Sequence, residues 1–336
     1  MGQASPPATG PHPPPPRRGR RRPGWFRIRS RALLTAATVV ALTAAAHSTI
    51  PAPPPAGHAP PTAATLRSAY AANRANAAEA AAMAAAHGDV RRAAADRALA
   101  TRDLLAFDGR GPGRATEVLG ELRRADRIAV LVPGSDTSID TYARFHRAAA
   151  ALYEDLTHRA PAGTRVAVVA WLGYRTPGTV STTVTTTARA DEAAPRLRAL
   201  AGRLRILAPA RARVSLLCHS YGSVVCGRAA HGLGVDDIVL VGSPGTGAGT
   251  VAGLHTHARV WAARGSGDWV AHVPHVRAGL LVTTVGFGTD PVSRAFGARI
   301  FDAAGAGHSG YFTPGSAALA NLARITLGET SEVTRA

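Results

Sequence analysis

The stretch Arg213-Val214-Ser215-Leu216-Leu217-Cys218-His219-Ser220-Tyr221-Gly222-Ser223 constrains this chain more than any other. Its apolar run reads as a short strand buried on both faces. The small and apolar residues over 224–231 then read as a helix packed against a sheet. A strand that turns sharply into a helix, with a serine in the turn and a glycine two residues later, is the setting of the G-x-S-x-G nucleophile elbow. Here the pattern is C-H-S-Y-G: Cys218 stands at the first glycine position, and the second glycine, Gly222, is present. In such a turn the serine leaves the carboxyl end of the sheet beside unpaired backbone N–H groups and a helix N-terminus, where an oxyanion can be held. The hydroxyl is inert near neutral pH unless an imidazole takes its proton, and the imidazole needs a carboxylate to orient it. The elbow therefore predicts an acid and then a histidine, in loops after later strands. The competing reading of Ser220 is a helix cap after a strand.

Both partners can be found downstream. Asp268 lies in Arg264-Gly265-Ser266-Gly267-Asp268-Trp269, a turn after a strand expected over 258–263. It is preferred over Asp290, which precedes the last strand-like run, 298–301, by too much chain to lie at a strand end. His308 lies in Gly305-Ala306-Gly307-His308-Ser309-Gly310-Tyr311, after that run and before a final helix expected over 316–325. Ser, Asp, His is the chain order of the α/β-hydrolase plan. For the oxyanion, the backbone N–H of Tyr221 is one expected donor and that of Gly134 or Ser135 the other, since Pro133 has no N–H. His219 is expected to point away from Ser220 and to shape the pocket. His255, His257, His272 and His275 cluster in sequence, but no carboxylate or cysteine joins them at a recognised ligand spacing. No metal and no cofactor is expected.

The rest of the chain supplies a frame for these residues. Apolar runs over 127–132, 165–170, 213–217, 237–241 and 258–263 read as strands. They are separated by helical segments over 140–158, 191–207 (interrupted by Pro195) and 224–231. Continuous apolar strands alternating with helices predict an α/β fold: a mostly parallel central sheet with helices on both faces, reached by right-handed crossovers. The glycine-rich stretches do not match G-x-G-x-x-G after a first strand, so a dinucleotide fold has little support. Ahead of this domain, expected over 106–328, an alanine-rich stretch over 62–105 reads as a helical hairpin broken at Gly88-Asp89, preceded by a proline-rich spacer over 51–61.

The N-terminal fifty residues differ in composition. The net charge of +18 is carried by arginine without a single lysine, and eight arginines fall within residues 17–31 with no acidic partner. With its proline and glycine, the segment 1–31 is expected to be disordered. Nucleic-acid binding is not expected, since no finger, RRM or aromatic-basic interleaving accompanies the arginines. The apolar run that follows, within 32–50, predicts a signal peptide or a single membrane-spanning helix with its N-terminus cytoplasmic, and so a membrane-anchored or secreted protein. The two cysteines, Cys218 and Cys226, fit neither a zinc site nor a disulfide scaffold and are expected as buried thiols rather than as one disulfide.

Several pieces together resemble a family of largely actinobacterial α/β-hydrolase-fold proteins long catalogued as a domain of unknown function. They are Gly109-Arg110-Gly111-Pro112-Gly113-Arg114, Ala129-Val130-Leu131-Val132-Pro133-Gly134, Trp171-Leu172-Gly173-Tyr174, His219-Ser220-Tyr221-Gly222-Ser223, Val241-Gly242-Ser243-Pro244-Gly245 and His308-Ser309-Gly310-Tyr311. The resemblance covers about residues 104–328 and departs from the family at Cys218, where glycine is usual. It implies the same triad and names no substrate. The expected function is a serine hydrolase cleaving a carboxylic ester by an acyl-enzyme mechanism, on a small-molecule, lipid or cell-envelope acyl substrate lying against Trp171 and Leu172. The rivals are a peptidase or acyltransferase on the same triad, and an inactive envelope scaffold.

Overall fold

The computed structural model describes residues 1–3, 51–57, 60–179, 186–272, 278–280, 283–285 and 287–336. The chain divides into two units, Met1–Ala46 and His47–Ala336, and every element below belongs to the second. Two helices come first, α1 (Leu66–Ala86) and α2 (Val90–Leu99), the latter capped by Asp89, whose side chain accepts the N–H of Arg92. An eight-stranded sheet follows: β1 (Asp103–Asp108), β2 (Arg114–Gly120), β3 (Arg127–Val132), β4 (Val166–Leu172), β5 (Arg213–His219), β6 (Asp237–Val241), β7 (Arg259–Ala263) and, last in the chain, Arg299–Ile300. Between them run α3 (Tyr142–Arg159), α4 (Ala188–Leu207) and α5 (Gly222–Ala229), and α6 (Ala317–Leu327) closes the fold. The spatial order is β1-β2-β4-β3-β5-β6-β7, with Arg299–Ile300 at the far edge. The β1/β2 and β2/β4 pairs are antiparallel and every later pair is parallel.

Successive residues of the parallel strands face opposite layers, so a strand covered on both sides has to be apolar throughout. On β3, Ile128, Val130 and Val132 join the core under α4 and α5, whereas Ala129 and Leu131 join the core under α3 and α6. Helix α3 lays Ala149, Leu152 and Leu156 on the second face at helical spacing. Helix α4 runs unbroken through Pro195, with Leu197, Leu200, Leu204 and Leu207 buried against the first face. The expected interruption at Pro195 is absent because that burial outweighs one missing backbone hydrogen bond.

The alanine-rich helices are more than an appendage. Ala77 and Ala80 of α1 and Leu99 of α2 share a core with Leu104, Phe107, Ile139 and Tyr142. Arg92 is fully buried; its guanidinium donates to the carbonyls of Gly109 and Gly111 and to Asp96, and pairs with Asp140. The proline stretch ahead of them touches α1, since the Pro54 carbonyl accepts a hydrogen bond of 2.9 Å from Asn76.

Two expectations are corrected. Among the described residues no helix is long and apolar enough to cross a membrane, so the membrane anchor, the membrane partner and the membrane location are set aside. Residues 32–50, on which they fell, lie outside the described residues, as does most of the basic segment before them. The second correction concerns the cysteines: Cys218 and Cys226 are joined in a disulfide between the end of β5 and α5, both fully buried. An elbow returns its helix alongside its own strand, which brings two side chains eight positions apart within bonding distance.

Candidate active site

Ser220 sits between β5 and α5 with φ of +53°, left-handed backbone that a serine adopts only when its surroundings hold it there. Three contacts do so. The Ser220 N–H donates to the Val241 carbonyl at 3.0 Å, its carbonyl accepts the Ser223 N–H at 2.9 Å, and Ser223 Oγ donates to the Cys218 carbonyl at 3.1 Å. The turn also presses against the end of β3. A Cβ on Gly222 would meet the Val132 carbonyl oxygen at 2.4 Å, and one on Gly134 would meet Ser220 Cβ at 2.6 Å. Both positions therefore need glycine.

The two partners arrive from loops at the same end of the sheet. Asp268 follows β7 and is almost fully buried. His308 lies between Arg299–Ile300 and α6. The ring of His308 places Nε2 at 2.9 Å from Ser220 Oγ and Nδ1 at 2.9 Å from Asp268 Oδ1. With Nδ1–H facing the carboxylate, Nε2 is left to accept the serine proton. Tyr311 donates to Asp268 Oδ2 at 2.5 Å and accepts the Gly265 N–H at 3.1 Å, so the second carboxylate oxygen is also held. Burial alone would push the Asp268 carboxyl up, but hydrogen bonds from His308, Tyr311 and the Val270 N–H together hold it below the usual carboxylate range.

His219 turns away from Ser220. Its Nε2–H donates to the backbone carbonyl of His308 at 2.6 Å, and its ring lies 4.8 Å from that of His308. Burial, reinforced by the neighbouring His308 ring, lowers its pKa to about 4, so it is neutral near pH 7. Asp290, the competing acid, accepts a 2.7 Å bond from Arg264. Among the described residues no group of three or more His, Cys, Asp or Glu side chains is placed to hold a metal ion. His275 lies outside the described residues.

The serine opens into a cavity of about 460 Å³. Gly134, Ser135 and Tyr221 line it beside Ser220 and His308. Its walls are largely apolar, from Leu131, Phe145, Leu217, Val270, Phe287 and Phe312. Trp269, half exposed, places its ring 4.6 Å from that of His308. Trp171 and Leu172, expected as the acyl surface, are not part of this wall: both are buried, and Trp171 stacks on Tyr174 at 5.9 Å. Sequence reasoning assigned no role to Tyr311, Trp269 or Arg144. The first lies three residues past His308 and the second next to Asp268, and that adjacency is the signal that could have found them. Arg144 gives no such signal.

Comparison with known proteins adds the lineage. An uncharacterised protein of Mycobacterium tuberculosis (strain H37Rv) is 31% identical over 275 residues, covering 67% of this chain and 38% of that protein. An uncharacterised protein of Mycobacterium bovis is 33% identical over 138 residues, covering 38% of this chain and 51% of that protein. The chain thus spans well under two thirds of these relatives. Among solved structures, a lidless α/β serine hydrolase of Xanthomonas campestris aligns with a TM-score of 0.39 at 18% identity, covering 67% of this chain and 91% of that one. The esterase LipW of Mycobacterium marinum aligns with a TM-score of 0.39 at 15% identity, covering 76% and 90%. The match to the family described as alpha/beta hydrolase runs over residues 108–278, half of the chain, and the chain belongs to that family.

Proposed function

We propose that this α/β hydrolase is a serine hydrolase that cleaves carboxylic esters with an apolar acyl group through an acyl-enzyme. Ser220 is the nucleophile, His308 the general base and Asp268 the residue that orients it. The observation that carries this reading is the imidazole bridging Ser220 Oγ and Asp268 Oδ1 at 2.9 Å on either side, at the wall of the cavity. In the reaction His308 Nε2 takes the hydroxyl proton as Oγ attacks the ester carbonyl, and Asp268 stabilises the imidazolium. The backbone N–H groups of Tyr221 and of Gly134 or Ser135 receive the oxyanion. The imidazolium then protonates the leaving alcohol, and a water activated by the same ring releases the acyl group. Neutral His219 holds the loop carrying His308 through that residue's carbonyl and takes no proton. An apolar acyl group is favoured by the phenylalanine and leucine walls.

The test is labelling of the purified protein with a fluorophosphonate probe, together with turnover of p-nitrophenyl esters of graded chain length. Ser220→Ala is expected to abolish labelling and to lower kcat roughly ten-thousand-fold or more, with the far-UV spectrum unchanged. Retained turnover in that variant would place the nucleophile elsewhere.

A further inference from the structure

Four side chains lining the cavity can carry charge, and three are accounted for. His219 and His308 are bound to one another and to the site. Asp136, on the loop after β3, accepts both the N–H and the hydroxyl of Thr179. The fourth is Arg144, in the first turn of α3, exposed and next to Phe145 on the same wall. Among the described residues its guanidinium has neither a carboxylate partner nor a hydrogen-bond acceptor. Elsewhere in the fold arginines pair with carboxylates at Asp108, Asp126 and Asp237. Arg144 lines the same cavity as Ser220, His219 and His308. A guanidinium is a rigid five-donor fork matched to two-oxygen anions.

We infer that Arg144 selects substrates, and that the acyl esters this site takes carry an oxyanion group, carboxylate or phosphate type, at the open end of the cavity. The inference rests on the serine-hydrolase reading above and deepens it. The apolar walls take the acyl methylenes while Arg144 takes the charge. The pairing adds to transition-state binding by placing the ester carbonyl at Ser220. Both ends of the substrate are then specified, one by burial and one by charge.

The experiment compares p-nitrophenyl pentanoate with mono-p-nitrophenyl glutarate and p-nitrophenyl 4-phosphonobutanoate. These share a leaving group and differ at the chain end, which is neutral, a carboxylate or a phosphonate. The readout is the ratio of kcat/KM for each anionic ester to that for the neutral one, within each protein. Arg144→Gln is expected to lower the ratio about two- to fivefold, and Arg144→Glu to lower it further at 0.05 M salt. Raising salt from 0.05 to 0.5 M is expected to lower the wild-type ratio and leave that of Arg144→Gln in place, since an exposed pair is screened. Whichever anionic ester loses more identifies the group the fork prefers. Neutral ester turned over normally with a ratio unmoved by both substitutions overturns this inference alone. Absence of turnover of all three esters by the wild-type protein overturns the hydrolase reading, and this inference with it.

Discussion

Reducing the Cys218–Cys226 disulfide should cost the fold a definite amount. The bond joins two residues eight positions apart, from the end of β5 into α5, and both cysteines are fully buried. In the chain-entropy description, opening a closed loop of that length releases about 8 cal/mol/K to the unfolded chain, or about 2.5 kcal/mol at 25 °C. That is a roughly 70-fold change in the folding equilibrium and a midpoint lower by about 4 °C for a chain of this size. Reduction changes no side-chain volume beyond the sulfur–sulfur bond, so little packing is lost with it. The assay is urea unfolding, followed by circular dichroism, of the protein as isolated and of the same protein reduced in denaturant and refolded in dithiothreitol. Burial predicts that dithiothreitol without denaturant leaves the bond intact for hours, because the sulfurs are reached only through opening of the elbow. Two alkylatable thiols in the denatured, unreduced protein would refute the pairing. Matching unfolding curves for the oxidised and reduced forms would refute the loop-entropy argument.

Other expectations follow from single contacts. Tyr311→Phe removes the donor to Asp268 Oδ2 and the acceptor of the Gly265 N–H, leaving two buried polar groups unpaired; a loss of about 2–3 kcal/mol in urea unfolding is expected, and an unchanged midpoint would deny that bond. Gly134→Ala would place a Cβ 2.6 Å from that of Ser220 and displace the hydroxyl, so ester kcat should fall about 100-fold while probe labelling slows in parallel; wild-type kinetics would refute the close approach. His219 has a folded pKa near 4, below its ordinary value, so between about pH 6.5 and 4 the unfolded chain binds more protons than the folded one. Its contribution is whole above that window and is lost as the pH falls through it. His219→Gln should flatten the stability profile there, and an equally steep profile in the variant would assign the slope to other groups.

Much of the sheet was legible because parallel strands covered on both faces are apolar along most of their length, and β3, β4, β5 and β6 are, with Ser215 and Asp237 as buried polar exceptions. The elbow and the loops that carry Asp268 and His308 could be located because each follows such a strand or precedes a capped helix. What could not be read is what depends on tertiary proximity. Cys218 and Cys226 meet only because α5 folds back over its own strand. The acyl surface was sought on Trp171 and Leu172, next to a strand end, whereas the cavity draws Phe145 from α3 and Phe287 and Phe312 from two distant loops. Helix α4 crosses Pro195 because four leucines hold it against the sheet, a tertiary effect that local propensity does not contain. The short pair Ala278–Leu280 and Thr283–Val285 lacks the length and turn residues that announce a hairpin.

The burial of Arg92 reaches past the helix that carries it. The carbonyls it satisfies, at Gly109 and Gly111, lie just before β2, and its other carboxylate neighbour, Asp140, begins the approach to α3 from the loop of Ser135 and Asp136. A fragment beginning at residue 104 would leave those carbonyls facing a void and strip the cover from Leu104, Phe107 and Ile139. The span matched by the family, 108–278, leaves out both Arg92 and the helices that cover Leu104 and Phe107. It lacks the plug at one end and His308 at the other, so heredity and mechanical integrity draw their borders in different places on this molecule.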